Sequence, residues 1–172
     1  MEAGNGPGLP AYRYALAGLE TGVMAAIAML TWLGTASLLY RKSFWTPPNI
    51  LASTFYGDAA VRNRFAANTF SGIALYLLIY GALGALFGLA MRDYRNVLRV
   101  TCIGVLLAIA WYYLSFGVLW KRWNPLVVLY THDRPMFVGH VLYGALLGRF
   151  PRYLRALQRK APVPEPAQVG LP

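Results

Sequence analysis

"LLYRKSFWTPPNILASTFY", Leu38 to Tyr56, is the stretch on which the reading of the chain turns. It closes a long apolar run with a basic pair and aromatic rings, then opens a new segment at two prolines. That segment, "NILASTFY", is too apolar for a solvated loop and too short to span a bilayer. Asparagine and proline start helices, so a short helix is predicted, lying in the interface or dipping into the protein. Irregular backbone at membrane depth is tolerated only where protein buries it or a wet cavity borders it.

The same order returns in "VLWKRWNPLVVLY", Val118 to Tyr130. Trp45 stands four residues before Asn49 and Trp120 four before Asn124, with Leu51 and Leu126 two places later. "AIAML" precedes the first stretch and "AIAWY" the second. A glycine-rich run follows each, "YGALGALFG" from Tyr80 and "YGALLG" from Tyr143. Two tandem hairpins of one orientation, related by an axis along the membrane normal, account for this order. The rival explanation is the common use of Ala, Leu, Gly and Tyr in any apolar helix.

Working outward, 58% of the 172 residues are hydrophobic and 13% charged, where a soluble domain carries about 25% charge. Four apolar runs stand out: Ala15–Leu39, Phe70–Ala90, Val100–Trp120 and Met136–Gly148. A spanning helix needs roughly 20 residues, which the first three supply. The fourth is short, and "PLVVLY" is expected to share its side of the membrane depth. The predicted fold class is an all-α membrane protein of four transmembrane helices. They form two tandem helical hairpins, residues 15–92 and 97–150, with short interfacial or re-entrant helices between helices one and two and between helices three and four. Residues 1–14 form an N-terminal tail, and residues 151–172 a basic, then Pro-rich, cytoplasmic tail. "MEAGNGPGLP" carries an acid where a signal peptide has its basic region, so the first run is expected to be a retained anchor.

Four spans put both termini on one side. Nine Lys and Arg fall there, against seven on the other, which points to cytoplasmic termini by the positive-inside rule. In "RFPRYLRALQRK", Arg149, Arg152, Arg155 and Arg159 keep helical spacing beside Leu154 and Leu157. This suits either a surface helix on anionic lipid or a plain stop-transfer flank. Tyr40, Phe44, Trp45, Trp120 and Trp123 mark the opposite, periplasmic head-group level. The net charge of +10 sits beside apolar runs, so it is assigned to lipid head groups and not to nucleic acid. The lone Cys102 excludes an internal disulfide or cysteine metal cluster and is expected to pack as a small buried residue.

Small-residue stripes predict close helix contacts: Gly18 and Gly22 in the first span, Gly84 and Gly88 in the second, Gly144 and Gly148 in the fourth. They suit closure of the bundle or a joint between copies, and a homo-oligomer or other membrane subunits are the expected partners. The chemistry-bearing residues lie mainly in "YTHDRPMFVGHVLYGALLGR", Tyr130 to Arg149. His140 shares a face with Gly144 and Gly148. It is expected to face protein, either in a hydrogen bond to a neighbouring helix or as a proton carrier, quinone contact or haem ligand. His132 and His140 would lie roughly 12 Å apart along one helix, so one helix cannot hold both against one iron. Asp133, just before Arg134 and Pro135, reads as a helix cap. Glu20 should point inward or pair with Arg92, Arg95 or Arg99, because a carboxylate facing lipid is costly. Asn49, Asn124, Glu20 and His140 are the candidates for a polar path.

Glu20, the Pro47–Pro48 loop, Gly72, Gly81 and Gly84, and the Gly139–His140 pair resemble the pattern of the YagU-type bacterial inner-membrane proteins, over most of residues 15–150. The resemblance implies a bacterial inner membrane as the location. No metal or catalytic constellation is legible, and no cofactor is predicted. The leading expectation is a non-enzymatic structural or accessory subunit. A small channel or transporter between the hairpins is the alternative, and a haem- or quinone-linked redox subunit the third.

Overall fold

In the computed structural model, residues 10–61, 64–94 and 96–159 are described, and all the regular structure among them is helical. Helix α1 runs Ala11–Leu39, α2 Thr46–Tyr56, α3 Ala67–Ala90 and α4 Val97–Leu114. A π-helical turn, Ser115–Leu119, continues α4 into α5, Trp120–Trp123; then come α6, Pro125–Tyr130, α7, Asp133–Leu147, and α8, Phe150–Arg159. Three helical rods are long and apolar enough to cross a membrane: Ala11–Leu39, Ala67–Ala90 and Val97–Trp123. Helix α7 has 15 residues, about 22 Å at 1.5 Å per residue, and falls short of that length by itself. Residues 1–9 of the expected N-terminal tail and the Pro-rich end of the C-terminal tail lie outside the described residues, while Ala11–Tyr14, expected in the tail, already belong to α1.

The two prolines of the opening stretch sit in the first turn of α2, where a missing N–H costs nothing. Pro125 does the same for α6, and the Asn124 side chain caps that helix by accepting from the Leu126 N–H. The two short helices meet one another on the same end of the molecule. Asp133 is the first residue of α7 and makes no side-chain cap; His132 holds the cap position. The helix thus starts one residue upstream of the expected place, and the carboxylate, in the first turn, contributes through the helix dipole instead.

The long helices stand in the order α3, α1, α7, α4, each packed on the next. Glycine sets the first and last of these contacts. A Cβ built on Gly22 would lie 2.7 Å from the Gly84 Cα, and one on Gly18 would lie 2.9 Å from the Gly88 Cα. On the other side, a Cβ on Gly144 would lie 2.6 Å from the Val105 Cα, and one on Gly148 2.9 Å from the Thr101 Cβ. All six stripe glycines therefore serve contacts inside the chain. Lipid gives helices no hydrophobic reason to associate, so such close backbone approach supplies the attraction.

Two polar expectations change. Glu20 is exposed, and the one ion pair among the described residues joins Arg92 to Asp93. Thr21 and Gly22 fill the inward positions against α3, leaving no room for a carboxylate. Helix α1 has 29 residues, about 43 Å, against about 30 Å of hydrocarbon. Its N-terminal third, with Glu20, can thus stay at head-group level. Cys102 is exposed as well, on the outer face of α4, and is not a buried packing residue.

Helix α8 turns back against α1. Phe150, fully buried, meets the Phe87 ring edge-on at 6.2 Å. Tyr153, Leu154 and Leu157 pack against the core, and Arg152 and Arg155 stay outside.

Candidate functional site

The short helices α2 and α6 roof a hollow between the tops of the long ones. Its wall takes Leu33 and Ser37 from α1, Ile50 and Leu51 from α2, Val127 from α6 and Met136 from α7, with Tyr76 and Tyr80 of α3 within. Its volume is about 60 Å³, more than the roughly 10–15 Å³ that one water needs. Lys42, Tyr40, Tyr130 and His132 stand among its lining residues. The Lys42 ammonium reaches the Tyr130 carbonyl at 3.5 Å, and the His132 ring stacks on Tyr40 at 4.2 Å.

The π turn contributes to this wall. It adds a residue to the turn that follows α4, and π turns inside α-helices recur at functional sites. Phe116, within it, and Trp120, just after it, both line the hollow, and the Ser115 hydroxyl donates back to the Tyr112 carbonyl.

Beneath the roof lies a layer of tyrosines around His140. The histidine is fully buried. Its Nδ1 is 2.8 Å from the Met136 carbonyl, which can only accept, so that nitrogen carries the hydrogen. Nε2 is then the acceptor for the Tyr80 hydroxyl at 3.0 Å. Tyr143 donates its hydroxyl to the Tyr80 carbonyl at 2.6 Å. The rings of Tyr80, Tyr112 and Phe116 turn their edges or faces to the imidazole at 5.2–6.3 Å. These bonds tie α3 to α7 across a gap that the backbones do not close.

Tyr76 is different. It is 4% exposed, its ring tilted 35° against that of Tyr80 at 4.5 Å, and it lines the hollow. Among the described residues, its hydroxyl is the one buried side-chain polar atom that makes no hydrogen bond within 3.5 Å, and its polar neighbour is the Tyr80 hydroxyl, itself bonded to His140. Leaving such a group unpaired costs about 1–3 kcal/mol.

Of the other residues singled out in the sequence, Asn49 and Asn124 both anchor to α2, while Glu20 and His132 lie elsewhere. Asn49, buried in α2, donates to the Arg64 carbonyl at 2.9 Å and accepts from the Thr69 hydroxyl at 2.6 Å. Asn124 donates to the hydroxyls of Ser53 and Thr54 at 2.8 and 3.0 Å. Each asparagine pins one short helix in place, and Glu20 is remote from both. His132 sits at the exposed cap of α7, a full two turns from His140. Both His140 nitrogens are engaged within the fold, Nδ1 by Met136 and Nε2 by Tyr80. Sequence reasoning missed Tyr76, Tyr80, Tyr143 and Trp111. One signal for them existed: positions 76, 80, 84 and 88 form a single stripe, in which two tyrosines share a face with two helix-packing glycines.

No family model matches the chain, and no curated protein or solved structure matches it.

Proposed function

We propose that the chain is a non-enzymatic four-helix protein of the bacterial inner membrane that works by binding a small molecule in the hollow under α2 and α6, as an accessory subunit does. Helix α7 is its fourth membrane-embedded helix, made long enough by the adjoining α6. The repeated order of elements supports two duplicated hairpins. The loop charges and the YagU-type resemblance support cytoplasmic termini and a bacterial membrane. Anionic lipid is the natural neighbour of the Arg152 and Arg155 face of α8.

One observation carries the binding reading. Tyr76 presents a buried hydroxyl that makes no hydrogen bond within 3.5 Å, and only a longer contact to Tyr80, in the wall of the hollow roofed by α2 and α6. A bound molecule that accepts or donates there removes the cost of leaving it unpaired. Among the described residues, the other buried side-chain polar atoms have partners within the fold. A channel or transporter would need a path past Tyr80 and His140, where those partners are internal; it is the weaker proposal.

The test is extraction of the purified full chain and mass spectrometry of the extract. A molecule should copurify in near-stoichiometric amount and be lost from Ser37→Phe, which fills the hollow from a half-exposed position on α1. A wild-type extract containing nothing beyond detergent and bulk lipid overturns the reading.

A further inference from the structure

The two hairpins are not packed symmetrically. In the row α3, α1, α7, α4, the first helix of one half rests on the last helix of the other, α1 on α7. The corresponding pair, α4 and α3, barely touches. A crevice separates them, lined by Leu83, Leu86 and Phe87 of α3, Leu107, Ala110 and Leu114 of α4, and, from α7 behind, Tyr143 and Leu147. Its volume is about 360 Å³, inside the range of about 300–1,000 Å³ usual for small-molecule sites. Its lining side chains are apolar apart from the tips of Tyr143 and Trp111. Both flanking helices belong to the apolar rods, so the crevice opens at the depth of lipid acyl chains.

Crevice and hollow adjoin. Trp111 belongs to both walls, and along α3 the lining passes from Tyr76, Ile79 and Tyr80 above to Leu83 and Leu86 below. The upper space offers the weakly bonded Tyr76 hydroxyl and, at its rim, Lys42 and His132, while its lining contains no acid. An acid-free chamber with a hydroxyl donor and a cation thus lies directly above an apolar slot between two membrane-length helices.

We infer that the site takes a single-chain lipid acid, a long-chain fatty carboxylate, with its head in the hollow at Tyr76 and Lys42 and its chain passing Trp111 into the crevice between α3 and α4. This rests on the binding reading above and names its ligand. The chain reaches the crevice sideways from the bilayer, since α2 and α6 roof the hollow. A carboxylate suits the head because it accepts from Tyr76 and is attracted by Lys42 without meeting a fixed negative charge. Trp111 is the positioning residue between the two spaces.

The experiment uses the full chain in lipid vesicles and a palmitic acid probe bearing a diazirine at mid-chain, with labelled residues mapped by mass spectrometry. Labelling at Leu83 and Leu147, in the crevice, should saturate. It should exceed labelling at the outward-facing Leu98 and Leu106 by about tenfold, a preference of about 1.4 kcal/mol. Unlabelled palmitate should compete and hexadecane, which has no head, should not. Ala110→Trp and Leu114→Trp, both changed from exposed crevice-lining positions, should abolish the saturable label at unchanged melting temperature. Lys42→Gln should weaken competition by palmitate. Non-saturating, uniform label, or equal competition by hexadecane, overturns the inference. If Ser37→Phe still removes a copurifying molecule in that case, the binding reading stands and only the lipid-acid assignment fails.

Discussion

Gly22→Ala tests the frame on which the site is built. The added Cβ would lie 2.7 Å from the Gly84 Cα and 2.9 Å from the Tyr80 carbonyl oxygen, against the 3.4 Å at which ordinary contact begins. Both obstacles are backbone, so no side chain can swing aside, and the helices must part by about 0.7 Å. A gap of about 0.5–1 Å forfeits a quarter to a half of each dispersion contact along the seam. Overpacking a well-fitted site by one methyl costs about 1–3 kcal/mol, and a value near 2 is expected here. The displaced Tyr80 carbonyl also loosens the Tyr143 bond that links α3 to α7. Gly117→Ala is the control: that glycine is exposed in the π turn, with nothing within 4 Å of its added Cβ, so a change within about 0.5 kcal/mol is expected. Reversible unfolding in mild detergent, followed by tryptophan fluorescence, measures both. A Gly22→Ala protein as stable as the parent would refute the backbone contact between α1 and α3.

Other outcomes follow from single side chains. His140→Gln should keep a bond to Tyr80 and most of the stability, whereas His140→Leu strands the Tyr80 hydroxyl and should lose about 1–3 kcal/mol in the same unfolding assay. Asn49→Ala removes the links to Thr69 and Arg64, and should free the α2–α3 connection to proteolysis before global unfolding. Tyr76→Phe should hold or raise the stability of ligand-free protein by up to about 1 kcal/mol, while lowering recovery of the copurifying molecule. For topology, Asp58→Cys should be labelled from outside intact cells and Ala156→Cys should not, each with Cys102 replaced by Ala; reversed labelling would invert the proposed orientation.

Local composition was enough to specify the all-helical class, the three long rods and the two proline-opened short helices, because each rests on a run of adjacent residues. Apolar length, proline at a helix start and glycine at regular spacing are properties a segment carries before it meets any other. The glycine stripes announced close contacts in the same way, although which stripe meets which depended on the packing. The places where reading failed are those where two distant segments compete for one space. Glu20 was expected to turn inward or to pair with Arg92, Arg95 or Arg99; it is exposed, because Thr21 and Gly22 take the inward positions against α3, and Arg95 lies outside the described residues. Cys102 was expected to be buried, but α4 packs on one side only, and the cysteine is on the other. Asn49 and Asn124 meet on α2, where Asn49 bonds to Thr69 and Asn124 reaches Ser53, 71 residues away, a juxtaposition that no local pattern announces. The tyrosine layer, the roofed hollow and the crevice exist only because α1 rests on α7 while α3 and α4 stay apart. No local pattern encodes that asymmetry: the two halves read alike in sequence, and a difference in packing between like halves is a property of the assembled bundle.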